Sequence, residues 1–343
     1  MILPWHETLW NDIAGRREKL PHALLLHGQR GTGKAAFAKL LANALLCESP
    51  SFEGKACGKC LACGWMNSGT HPDFHLVQPE TDDAEAATAE PAGDEKEKEK
   101  KQKHITILQV RELISSVSLS AGRGGMRVVV VRPAETMNVN AANALLKTLE
   151  EPPPRTLFIL VSHQPQKLPP TVRSRCLKIA MPMPTREQAI QWLKEQGVSE
   201  PEICLAQAGF APLLALELNE PEYREKRLAF LDQIADTQRN DPLALAERVE
   251  KEKTELAWIL NWLQTWVYDL ESARMAGAVR YHPDFFDKIS QLANIPEVSK
   301  LLEYQHELTK ARRAVNHPLN MRLVLEQLLL SYWQTMKRRP HHG

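Results

Sequence analysis

Four cysteines crowd one short stretch, Cys47, Cys57, Cys60 and Cys63, spaced C-x9-C-x2-C-x2-C. Cys57-Gly58-Lys59-Cys60 puts two thiolates on one tight turn, with glycine allowing the bend. Four thiolates give closed tetrahedral coordination, which suits a structural Zn²⁺ and leaves no position open for catalysis. An iron–sulfur cluster also takes four cysteines, but its usual spacings and flanking proline are absent. Cys176 and Cys204 stand alone and read as ordinary buried residues.

A second constellation precedes the cysteines. Gly28-Gln29-Arg30-Gly31-Thr32-Gly33-Lys34-Ala35 nearly fits GxxxxGK[ST]. In such a loop the glycines let backbone N–H groups cradle phosphate oxygens at a helix N-terminus, and the lysine reaches the β- and γ-phosphates. Gly28, Gly31, Gly33 and Lys34 are therefore the candidate phosphate ligands. The next residue should supply a hydroxyl to Mg²⁺, and Ala35 has none. The apolar run Val128 to Val131 should then deliver an acidic pair for the metal and the attacking water. Arg132 and Pro133 follow it instead. Glu135 falls beyond the expected strand end. With hydroxyl and acids both missing, nucleotide binding is doubtful and no hydrolysis is expected.

These residues need a scaffold. Ala23 to His27 reads as a short buried strand, and Lys34 to Leu46 as a helix with Phe37, Leu40, Leu41, Ala44 and Leu45 on one side. Val128 to Val131 and Leu157 to Val161 are further strands. Ala141 to Glu151 is a helix stopped by Pro152, Pro153 and Pro154. Continuous apolar strands suit a parallel sheet covered on both faces. Residues 80–103 carry no large apolar side chain and many charges, so they read as a solvated, disordered insertion. After Met181 the strand signals stop. Thr185 can cap a helix holding Ile190, Trp192 and Leu193, and from Tyr223 onward the chain is helix-periodic. The expected organisation is an α/β domain over 1–180 with the cysteine module at 47–63, a small helical domain over 181–222, and a helical bundle over 223–343.

Composition sets bounds. The chain has 343 residues, 43% hydrophobic and 25% charged, with a formal net charge of +1. A globally basic nucleic-acid coat is excluded. An independent zinc-containing DNA-binding module is thereby disfavoured, since only Lys55 and Lys59 flank the cysteines. No run approaches the ~18 apolar residues that span a bilayer. Met1 to Trp10 is too short and polar for a signal peptide. A cytoplasmic protein without membrane contact is expected.

Asn143-Ala-Leu-Leu-Lys-Thr-Leu-Glu-Glu-Pro-Pro153, Gln166-Lys-Leu-Pro169 and Ser174-Arg175-Cys176 occur in tandem. With Thr70-His-Pro-Asp73 and a cysteine module after the first helix, the chain resembles the bacterial clamp-loader branch of the AAA+ proteins over roughly Pro4 to Lys178. The resemblance implies an α/β P-loop (AAA+, RecA-like) domain with an inserted zinc module, a helical lid and a C-terminal oligomerising collar. It implies a heteropentameric machine that loads a ring-shaped sliding clamp onto primer-template DNA for DNA polymerase III. Partners would be gamma/tau and delta subunits. Motor subunits keep the loop hydroxyl and an Asp-Glu pair. This chain departs at Ala35, Arg132 and Pro133, and Ala208 to Leu216 lacks the arginine of active lids. Ser162 stands where the family senses the γ-phosphate. The resemblance therefore favours a non-hydrolysing stator over an ATP-hydrolysing motor. It also implies that Arg175 acts in trans, as an arginine finger in a neighbour's ATP site.

Overall fold

The computed structural model describes residues 2–16, 19–79, 104–118, 125–236, 241–314 and 321–337. The insertion expected at 80–103 lies outside the described residues. The chain divides into two compact units, Met1–Gln188 and Ala189–Gly343.

The first unit alternates helix and strand: α1 (Glu7–Ala14), β1 (Ala23–His27), α2 (Lys34–Leu46), α3 (Leu61–Ser68), β2 (Phe74–Val77), α4 (Ile107–Ser118), β3 (Arg127–Val131), α5 (Val139–Glu150), β4 (Thr156–Ser162), α6 (Pro170–Ser174) and β5 (Leu177–Ala180). The strands form one sheet in the order β2-β3-β4-β1-β5, every neighbouring pair parallel. Parallel strands need crossovers, and the helices supply them on both faces. Alternation along each strand decides which face a residue covers. Leu25, Val129, Val131, Phe158 and Leu160 pack with Leu113 of α4, Leu145 and Leu149 of α5, and Val172 of α6. Leu24, Leu26, Val128, Val130 and Ile159 pack with Trp10 of α1, Phe37 and Leu41 of α2, and Met66 of α3. All seven residues of β4 are buried, which accounts for an apolar run without a polar side.

The second unit is helical: α7 (Arg186–Glu195), α8 (Pro201–Gln207), α9 (Pro212–Glu217), α10 (Pro221–Ala235), α11 (Pro242–Lys251), α12 (Leu256–Ala276), α13 (Phe286–Leu292), α14 (Val298–Ala314) and α15 (Met321–Met336). Thr185 caps α7 reciprocally: its hydroxyl accepts from Gln188 N at 3.2 Å while its own N–H donates to Gln188 Oε1 at 3.0 Å. Leu193, Cys204, Leu205 and Ala215 form a small core. A larger one gathers Trp262, Trp266, Leu308, Leu325 and Tyr332. Buried indoles need acceptors. Trp262 donates to Tyr223 Oη at 2.8 Å and Trp266 to Tyr332 Oη at 2.9 Å. Buried charge is also paired. Arg227 bridges Asp284, and the Asp269 carboxylate accepts from the backbone N–H groups of Arg280, Tyr281 and His282.

Candidate functional site

The cysteine cluster sits at the end of α2. Cys47 caps that helix and Cys60 caps α3, so two helix ends each deliver one sulfur. Between them the chain turns through Gly58 at φ 72°. The four Sγ atoms lie within 4.8 Å of one another. Cys47 and Cys60 sulfurs are 3.8 Å apart, and those of Cys57 and Cys63 are 4.0 Å apart. Four sulfurs at a Zn–S length of ~2.3 Å would be separated by ~3.8 Å, so the cluster fits a tetrahedral ion. A disulfide would need ~2.05 Å. Backbone N–H groups already face the sulfurs. Cys57 N donates to Cys47 Sγ at 3.2 Å, and Cys60 N to Cys57 Sγ at 3.3 Å. The N–H of Cys63 draws the Cys60 thiol down to about 6. Burial, with the neighbouring Cys60, pushes Cys63 up to about 12. A bound cation would hold all four as thiolates. Cys47, Cys57, Cys60 and Cys63 would hold the metal as a local cross-link between α2 and α3.

The phosphate loop joins β1 to α2 at the carboxyl end of the sheet. Gly31 and Gly33 take φ of 78° and 96°, values that L side chains rarely adopt, which explains glycine at both places. The loop is braced by its own chain. Trp5 donates its indole N–H to Thr32 O at 3.0 Å, and Thr32 Oγ1 donates to Gln29 O at 3.0 Å. Lys34 is 2% exposed, and its ammonium donates to Gly28 O at 2.9 Å and also to Gln29 O. Burial pulls its pKa from 10.5 to about 8, with the Glu135 carboxylate opposing the shift.

Glu135 lies beyond the end of β3, as its spacing predicts. A short 3₁₀ turn, Ala134–Thr136, carries it back to the end of the sheet, where its charge acts on Lys34. Glu135 Oε1 accepts from His163 N at 2.9 Å. Burial and the Lys34 charge together lower the His163 pKa. They also take His6 down to about 4. No local sequence pattern brings these three side chains to Lys34, because two depend on turns and the third on the N-terminal segment. Ser162, at the end of β4, is fully buried, and its hydroxyl accepts from Gln164 N at 3.2 Å. Arg132 donates from Nε to Gln78 Oε1 at 3.1 Å. Ala35 offers no hydroxyl to a magnesium ion; of the Glu135 carboxylate, Oε1 is engaged by backbone while Oε2 is buried without a hydrogen-bond partner.

Arg175 is the C-cap of α6. Its Nη2 pairs with Glu150 at the end of α5, and its Nη1 donates to Thr171 O at 2.8 Å. The side chain remains 32% exposed. The cysteines, the loop and Arg175 are thus three separate places on one α/β unit.

A phosphate-loop α/β fold, with a four-cysteine cluster after its first loop helix and a helical C-terminal unit, defines the class. Comparison with known proteins narrows it. The sequence model described as DNA polymerase III, delta subunit, matches residues 7–185, and that described as DNA polymerase III, delta subunit, C terminal, matches 221–334. The curated DNA polymerase III subunit delta' of Pseudomonas aeruginosa is 34% identical, with 98% of each chain covered. That of Escherichia coli is 30% identical over 90% of this chain and 88% of its own. The chain belongs to the DNA polymerase III subunit delta' family. A crystal structure of a gamma subunit-related DNA polymerase III protein from Thermotoga maritima shares the fold, with a TM-score of 0.52 at 15% identity, covering 96% of this chain and 99% of that one. Among the described residues, no helix is long and apolar enough to cross a membrane.

Proposed function

We propose that this chain is a non-hydrolysing stator of a DNA polymerase III clamp loader, an accessory component of the polymerase rather than an enzyme on its own. It would assemble with gamma/tau and delta subunits in a heteropentamer and help place the sliding clamp on primer-template DNA in the cytoplasm. One observation carries the reading. A chain of the delta' family keeps the glycines and lysine of a phosphate loop but has Ala35 where magnesium needs a hydroxyl. The engagement of Lys34 by loop carbonyls supports it.

Arg175 then serves a phosphate on a neighbouring subunit. A guanidinium supplied in trans stabilises charge on the transferred phosphoryl group, and the partial exposure of Arg175 supports such a use. Zinc on Cys47, Cys57, Cys60 and Cys63 is structural. We divide the chain into a RecA-like domain at 1–180, a lid at 181–222 and a collar at 223–343. Separate buried clusters, one around Leu193 and Leu205 and one around Trp262 and Trp266, support the last boundary.

Glu135 beside Lys34 favours a second reading, an ATP-hydrolysing motor subunit. Arg132 and Pro133 in place of metal-binding acids weigh against it. Purified alone, the chain should release no phosphate from ATP above a blank. Added to motor subunits, it should join one complex and raise ATP turnover. Turnover by the isolated chain that Lys34→Ala abolishes would reverse the assignment.

A further inference from the structure

We propose that Glu150 is the positioning partner of Arg175, holding the guanidinium parked on its own subunit until a neighbour's phosphate competes for it. The proposal rests on the trans-acting reading of Arg175 given above.

The two residues lie 25 apart in sequence and are presented by different helices. Glu150 is the last residue of α5, whose Ala141, Leu145 and Leu149 are buried against the sheet. The end of α5 is held further by His22, whose Nε2 lies 2.9 Å from Leu149 O. Arg175 closes α6, its N–H bonded to Val172 O at 3.2 Å. Val172 and Cys176 are buried in the same cluster as Leu145 and Leu149. Both backbones are therefore fixed, while both charged groups reach solvent, at 32% exposure for Arg175 and 48% for Glu150.

This arrangement occupies the working end of the guanidinium. Nη2 is on the Glu150 carboxylate and Nη1 on Thr171 O. End-on bidentate recognition of a phosphate uses those same two nitrogens. The carboxylate and a phosphate oxygen carry like charge and cannot share the fork without repulsion. Arg175 must leave Glu150 to act on a neighbour. A half-exposed ion pair is weak, so the restraint is modest, about twofold to fivefold in the parked-to-free ratio. Glu150 then acts through Arg175 and touches no substrate itself.

Glu150→Gln tests this, being isosteric and partly exposed, with a thermal melt to verify folding. In the isolated full chain, peptide-mapped modification of Arg175 by phenylglyoxal should speed up by about twofold to fivefold. In the reconstituted complex without clamp, total ATP turnover should rise by a smaller factor, since only one of several sites depends on Arg175, and the rise should vanish in the Arg175→Ala background. Unchanged modification, an unchanged or lowered turnover, or a rise that persists without Arg175 would overturn the proposal. Arg175→Ala alone having no effect on the complex would overturn the trans assignment and this proposal with it. The modification rate, read on the isolated chain, distinguishes that failure from the absence of the pair.

Discussion

Replacing Lys34 with methionine removes a charge that burial opposes, and the pH dependence of stability should report it. The folded-state pKa of Lys34 is about 8 against an ordinary 10.5. Between those values the unfolded chain holds more protons than the folded one, so stability rises with pH. The sign follows: the destabilisation is fully present below the folded value and is relieved as pH climbs through the window. One pKa unit corresponds to about 1.4 kcal/mol, so the gain between about pH 7 and about pH 9 is roughly 1 kcal/mol. For a unit of this size that is about 3 °C in melting temperature. Methionine keeps the aliphatic stem and cannot titrate. Thermal melts of both proteins at the two pH values should give a wild-type curve that gains about 3 °C relative to Lys34→Met as pH rises. Phosphates bound at Lys34 would keep it protonated, so magnesium and ATP should leave the wild-type increment intact if the loop holds no nucleotide. Parallel pH slopes in the two proteins would show instead that Lys34 titrates as a solvated lysine.

Metal analysis of freshly purified protein should find one zinc per chain, and Cys60→Ser should reduce it well below one. Substoichiometric zinc in the wild type, with four freely titrated thiols, would contradict the assignment. Removing that zinc should loosen amide-exchange protection in α2 and α3 and leave α12 and α15 unchanged. Asp269→Ala should lower the stability of the helical unit by about 3 kcal/mol, since three backbone N–H groups lose their buried acceptor. Calorimetric unfolding of the full chain measures this, and an unchanged melt would show that water replaces the carboxylate at no cost.

The strands at the centre of the sheet were legible in the sequence because both faces are buried. The run Ala23 to His27 and the helix Lys34 to Leu46 match β1 and α2 residue for residue. The edge strands β2 and β5 were not legible. They are short, and residues such as Leu76 and Leu177 are exposed, so burial imposes no pattern there. The cysteine cluster was legible because its ligands are local in sequence. Glu135, His163 and Glu150 were not, since a turn or a second helix brings each one to its partner. Periodicity encodes which face of an element is buried, and it carries no information about which distant side chain that element meets.

If this chain completes an ATP site on a neighbouring subunit, Arg175→Ala should separate that role from folding and assembly. The side chain is partly exposed and contributes to no buried core, so folding and assembly should be unaffected. Arginine fingers supply ~10³-fold or more to turnover at a single site. Only one of several sites in the complex would depend on Arg175, so the loss in total turnover should be partial. The measurement is clamp-stimulated ATP turnover by the assembled complex, wild type against Arg175→Ala, with Arg175→Lys as a control that should rescue poorly because a point charge lacks the planar fork. A fully assembled complex with reduced stimulated turnover is expected. A fully assembled complex with the wild-type rate would contradict it.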